Sequence, residues 1–211
     1  MKSVLHSPTE TRWREPGFAS LNGLSASLRS WVLEDGSLTQ RLKEACQGDF
    51  FVEVINQRYQ RPLASERLIL KMNDRDAALV RQVRLLCAGQ PWVFARTVIP
   101  VRSLKGGCRR LTRLGSRPLG AMLFANRTVQ RGKMEIAQIR RGQKFFEMAM
   151  MDLDNEPSLQ ADVIWGRRSI FHFADSPLLV SEIFLPDHGL STDQEMPLEP
   201  KPMVEQPVYG T

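Results

Sequence analysis

Two charged residues stand where an apolar one is expected. Glu182 lies in the run 178–185 (LLVSEIFL), and Arg81 in the run 79–88 (LVRQVRLLCA). In a strand, alternate residues share a face. Glu182 therefore shares its face with Leu178, Val180 and Phe184, and Arg81 with Val83, Leu85 and Cys87. A charge among apolar neighbours is costly unless it is paired. Two structural readings answer that cost: edge-exposed strands, or an ion pair between Arg81 and Glu182. The functional reading is a pocket in which the arginine holds an anionic ligand and the glutamate handles a proton or a hydroxyl. Arg96, beside Trp92, Phe94 and Val98, is a third candidate of the same kind, ranked below Arg81 because an arginine in a hairpin often stacks on an aromatic ring. Leu38 opens one helical segment, and Leu119-Gly120 follows Pro118 after another. Helix ends leave main-chain N–H groups free to meet a carboxylate.

The elements that must carry these residues follow from spacing. Leu24, Leu28, Trp31 and Val32 recur at helical intervals, and Ser37 with Gln40 has the form of a capping box that opens a second helix toward Cys46. Residues 50–55 read as a strand. Residues 79–88 and 92–99 read as a hairpin about Gly89-Gln90-Pro91, with Pro100 as its stop. Residues 101–115 suit an amphipathic helix ended by Gly115, 127–139 a strand and 144–153 a helix. Residues 163–173 and 178–185 form a second hairpin about residues 174–177. The expected architecture is α+β, a single domain with an antiparallel β-sheet and helices packed on one face. Residues 1–20 read as a flexible N-terminal arm, 21–186 as the folded domain, and 187–211, with four prolines, as a disordered acidic tail.

Composition narrows the class. The 211 residues are 42% hydrophobic with a mean hydropathy of −0.28, and no apolar run approaches the roughly 18 residues of a membrane span. The start has no apolar signal region, so a cytoplasmic protein is expected. Net charge is +6, yet residues 187–211 hold five acids and one lysine, which leaves +10 on the body. A basic body suits nucleic acid or a small anionic ligand. Arg109, Arg110 and Arg113 could touch a phosphate backbone but read better as a solvated face, and the pairs Arg140-Arg141 and Arg167-Arg168 have no aromatic platform around them beyond Trp165. Three cysteines, Cys46, Cys87 and Cys108, without a C-x-x-C spacing suggest reduced thiols, and the three histidines form no metal-ligand pattern.

The blocks WVLEDGSLTQRL, VRQVRLLCAGQPWVFARTVIP, LGSRPLGAMLF and WGRRSIFHFADSPLLVSEIFLP, in that order over roughly residues 28–186, resemble the chorismate pyruvate-lyase family. The resemblance implies conversion of chorismate to 4-hydroxybenzoate and pyruvate, the first committed step of ubiquinone biosynthesis, with no metal or organic cofactor. It implies an antiparallel sheet with helices packed against it. The family's ring-carboxylate arginine falls on Arg81, its two assisting main-chain amides on Leu38 and Leu119, and its acidic residue on Glu182. A methionine is familiar at the position of Leu38; because the main chain makes that contact, the change should matter little. A monomer without a nucleic-acid partner is expected. The stretch near 141–162 is longer than the compact connection the family suggests, so it reads as an insertion that either covers the pocket or decorates the surface.

Two other functions compete. A small-ligand binding module of the same fold would bind an aromatic carboxylate without chemistry, but such domains normally follow a DNA-binding winged helix, for which the first 20 residues are too few. A nucleic-acid binder would show steep salt dependence.

Overall fold

Ala88 and Gly89 both take positive φ, 48° and 81°, so the chain reverses in two residues between β2 (Ala78–Cys87) and β3 (Gln90–Pro100). That turn suits the twist of paired strands. The hairpin is the expected one, turning slightly earlier than Gly89-Gln90-Pro91. The computed structural model describes residues 9–125, 128–153, 161–173 and 176–186. In it the hairpin joins β1 (Phe50–Gln60), β4 (Val129–Arg140), β5 (Val163–Phe173) and β6 (Ser176–Phe184) in one six-stranded sheet. The order is β1-β2-β3-β6-β5-β4, antiparallel throughout. The acidic tail, 187–211, lies outside the described residues, as do residues 1–8.

The α+β antiparallel architecture is the expected one, but the helices are shared between both faces of the sheet. Both faces are apolar, so both need cover. On one face, α1 (Ala26–Val32) and α2 (Leu38–Ala45) pack Trp31, Val32, Leu38 and Leu42 against Val83, Leu85, Trp165 and Phe184. Near them α4 (Leu119–Ala125) sets Leu123 against Phe171 and Val180. On the other face lie α3 (Ala64–Ile69) and α5 (Lys144–Met150). There Phe145, Phe146, Ala149 and Met150 pack on Phe94, Ile139, Ile164 and Ile183. The suspected insertion therefore neither covers the pocket nor decorates the surface where it is described; α5 is core. Residues 154–160 of it lie outside the described set.

Three further expectations are corrected. Residues 101–115 form 3-10 turns at Val101–Ser103 and Gly106–Arg113 rather than an α-helix, because Gly106 takes φ +50°, which an α-helix interior does not accommodate. The arm is docked from Thr9 onward. Its main chain bonds Gly142 and Lys144 at Thr9 and Ile136 at Arg14, covering the outer edge of β4, while Trp13 meets Phe145 edge-on at 5.3 Å. A side chain at Gly166 would strike Ile183, Ile139 and Trp13, so this glycine is what lets Trp13 approach the sheet. Finally, Cys46 and Cys87 form a disulfide rather than free thiols; Cys108 is free and buried. Cys46 caps α2 four residues before Phe50, and Phe50 pairs with Cys87 in the ladder, so strand register brings together two residues 41 apart in sequence.

Candidate active site

Arg81 projects from the middle of β2 and is 4% exposed. Its Nη2 donates to the Gly115 carbonyl at 2.7 Å and its Nη1 to the Gln57 side-chain oxygen at 3.1 Å. Both acceptors are neutral, and no carboxylate among the described residues pairs with it. Burial pushes its pKa below the usual arginine value.

Glu182 lies two strands away on the same face. Arg81 is opposite Thr97 on β3, and Glu182 is opposite Ala95. Two strand spacings and a two-residue offset put their Cα atoms roughly 12 Å apart. The possible Arg81–Glu182 ion pair is therefore not formed. Glu182 instead accepts from Arg167 Nε at 2.6 Å, and Arg167 is 1% exposed. Arg167 Nη1 also donates to the carbonyls of Trp31 at 3.1 Å and Glu34 at 2.5 Å, where α1 ends. One guanidinium thus holds the Glu182 carboxylate and the α1–α2 connection together.

The two helix starts close the pocket from above. Ser37 Oγ accepts from Gln40 N at 3.4 Å, the cap expected at the start of α2, although the Gln40 side chain turns to Glu44 and leaves the box half made. Leu38 and Thr39 begin α2; Leu119 and Gly120 begin α4. A Cβ on Gly120 would stand 2.8 Å from Thr39 Oγ1, so only glycine lets the two starts come this close. First-turn amides of a helix have no intrahelical acceptor, which suits an anion between them.

All four residues expected from the sequence, Arg81, Glu182, Leu38 and Leu119, line this one pocket, which encloses about 590 Å³ counting its mouth. Its floor is apolar, from Val83, Leu85, Ala95 and Val180. Arg96 is not part of it. It faces the opposite side, gripped by the fully buried Glu66 through bonds of 2.7 and 3.0 Å. Two further arginines line it: Arg131, which the sequence reading passed over, and Arg167, which it weighed only as half of a basic pair. Arg167 carried a legible signal, since Trp165, Ser169 and Phe171 alternate around it. Arg131 carried none, because a bulge between Arg131 and Met134 shifts the parity of β4. Among the described residues no group of three or more His, Cys, Asp or Glu could hold a metal, and no helix is long and apolar enough to cross a membrane.

Residues 8–192 match the family described as chorismate lyase. The chain is 45% identical over 159 residues to a probable chorismate pyruvate-lyase of Methylococcus capsulatus, covering 75% of this chain and 94% of that one. It is 39% identical over 158 residues to the protein of the same name from Marinobacter nauticus, covering 75% and 76%. Among solved structures it is similar to the C-terminal domain of the histidine utilization repressor from Pseudomonas syringae pv. tomato, with 10% identity, a TM-score of 0.49, and coverage of 66% and 94%.

Proposed function

The chain belongs to the chorismate lyase family, and from that premise we propose that it eliminates pyruvate from chorismate to give 4-hydroxybenzoate. Chorismate is a dianion one elimination short of aromaticity. Its C4 hydrogen leaves as a proton and its C3–oxygen bond breaks, with the C4–H electrons completing the ring. The departing enolpyruvate gains a proton and becomes pyruvate. Aromatisation drives the reaction, so the protein's task is to bind, orient and exclude water.

Arg81 takes the ring carboxylate, assisted by the main-chain amides of Leu38 and Leu119. Glu182 accepts a hydrogen bond from the 4-hydroxyl and is aimed by its contact with Arg167. The scheme calls for no metal or organic cofactor. The protein acts as a cytoplasmic monomer, without a nucleic-acid partner, and its product feeds ubiquinone synthesis.

The observation that carries this reading is a buried Arg81 with only neutral acceptors, two strands from a carboxylate whose own counter-ion is already in place. A cation without a carboxylate partner among the described residues therefore shares the pocket with an acceptor for a hydroxyl. Purified protein incubated with chorismate and no added metal should yield 4-hydroxybenzoate and pyruvate in equal amounts. Activity that a chelator abolishes and a divalent ion restores would defeat the cofactor-free scheme. Tight binding of 4-hydroxybenzoate without turnover would make the chain a ligand-binding module.

A further inference from the structure

We propose that Arg131 binds the carboxylate of the substrate's enolpyruvyl arm and so distinguishes substrate from product. The inference rests on the pocket being a chorismate lyase site, and it concerns the one charged group of chorismate that Arg81 and Glu182 leave unanswered.

Three observations carry it. The first is charge. Of the three pocket arginines, Arg167 is neutralised by Glu182 at 2.6 Å, while Arg81 and Arg131 have no carboxylate partner among the described residues. Arg131 Nε donates to Ser169 Oγ at 3.1 Å, and its Nη1 to the carbonyls of Asp35 at 2.9 Å and Glu34 at 3.3 Å. Every one of these acceptors is neutral. Two cations without a directly paired carboxylate, Arg131 having Glu182, Asp35 and Glu34 nearby but not in ion-pair contact, match a dianion, whereas 4-hydroxybenzoate carries one carboxylate.

The second is order across the sheet. Arg81 is on β2, Glu182 on β6, Arg167 on β5 and Arg131 on β4. Chorismate holds its ring carboxylate on C1, its hydroxyl on the opposite carbon C4 and its enolpyruvyl ether on C3 beside it, so the second carboxylate branches to one side of the carboxylate–hydroxyl axis. A ligand whose ring carboxylate is on Arg81 and whose hydroxyl is at Glu182 extends its second carboxylate toward β4.

The third is the bulge. Arg131 pairs with Phe171 and Met134 with Ser169, so the chain inserts one extra residue at Gly132-Lys133. Plain alternation would place Arg131 on the face of Glu135 and Ala137; the bulge turns it onto the pocket face, over the Phe171 ring at 5.6 Å. Burial, and after it the nearby Arg167 charge, lower its pKa, and the charges of Glu182, Asp35 and Glu34 offset this only in part.

The test uses wild type, Arg131→Gln and Arg131→Lys on the full chain, with three ligands: chorismate, 4-hydroxybenzoate, and 3-carboxymethoxy-4-hydroxybenzoate, an aromatic dianion with its second carboxylate on an ether oxygen. Arg131→Gln should raise the chorismate KM and weaken the dianionic probe roughly ten- to a hundred-fold, the loss of a charge-assisted contact. Its 4-hydroxybenzoate Kd should stay near wild type, and Arg131→Lys should recover part of the loss. Equal weakening of both aromatic ligands, or an unchanged chorismate KM, overturns the proposal. Should Arg131→Gln fail to fold, the wild type's preference for the dianionic probe over 4-hydroxybenzoate, and its erosion in Arg131→Lys, decides; no preference overturns it. Wild-type protein that makes no 4-hydroxybenzoate overturns instead the reading beneath it.

Discussion

Arg81 and Glu182 share a pocket but answer to different partners, so substituting them should produce different defects. Arg81 bonds only neutral acceptors on Gln57 and Gly115, and its removal strands no charge. Arg81→Ala should stay folded and bind both chorismate and 4-hydroxybenzoate roughly ten- to a hundred-fold more weakly. Glu182→Gln leaves the buried Arg167 without its counter-ion. Because Glu182 is 19% exposed and glutamine still accepts a hydrogen bond, the stability loss should fall short of the roughly 3–5 kcal/mol of a fully buried pair. Its turnover should fall more than its product affinity. Calorimetric binding, kcat and melting temperature on the same three proteins separate the cases. Stable variants with unchanged kinetics would remove both residues from the site.

Helix α2 brings Leu38 and Thr39 to the pocket roof, and its far end is tied to β2 by the Cys46–Cys87 bridge. The bridge closes a loop of 41 residues, and cross-linking a loop of that size restricts the unfolded chain by about 2–4 kcal/mol. A reductant should therefore lower the denaturation midpoint of the wild type. Cys46→Ser should show the lowered midpoint already and be insensitive to reductant. Equal midpoints with and without reductant in the wild type would mean that the bridge contributes nothing. The fold at this scale was legible where signals are local: Ser37 capped α2, and the Ala88-Gly89 turn made the hairpin. Residues 101–115 misled because their apolar spacing is helical while Gly106 adopts a backbone that an α-helix cannot use.

For the whole molecule, the two ends of the chain should behave oppositely. The arm packs the half-buried Trp13 against Phe145 and seals the β4 edge through Thr9 and Arg14, so deleting residues 1–15 should cost about 1.5–3 kcal/mol, the worth of one large side chain. We propose that deleting residues 190–211 leaves stability and turnover near wild type, because that segment is acidic and proline-rich and the last core residue among the described ones is Leu185. Chemical denaturation and turnover of the two truncations are the measurement. A large loss from the C-terminal deletion would show that the tail is docked.

Strand alternation, turn residues and family motifs are properties of neighbouring positions, and these the chain reveals without folding: the six strands, both hairpins, and the two charges at Arg81 and Glu182. Which partner each charge takes was decided only by tertiary structure. Arg81 and Glu182 could pair on paper; two intervening strand spacings keep them apart, and Arg167, directly opposite Glu182 on β5, takes the carboxylate instead. Arg96 met Glu66 from a helix with no signal in the sequence reading. The disulfide, the docked arm and the pocket face of Arg131 share one cause. Each depends on register between segments far apart in sequence, and a single inserted residue, as in the β4 bulge, reverses which face every later side chain occupies.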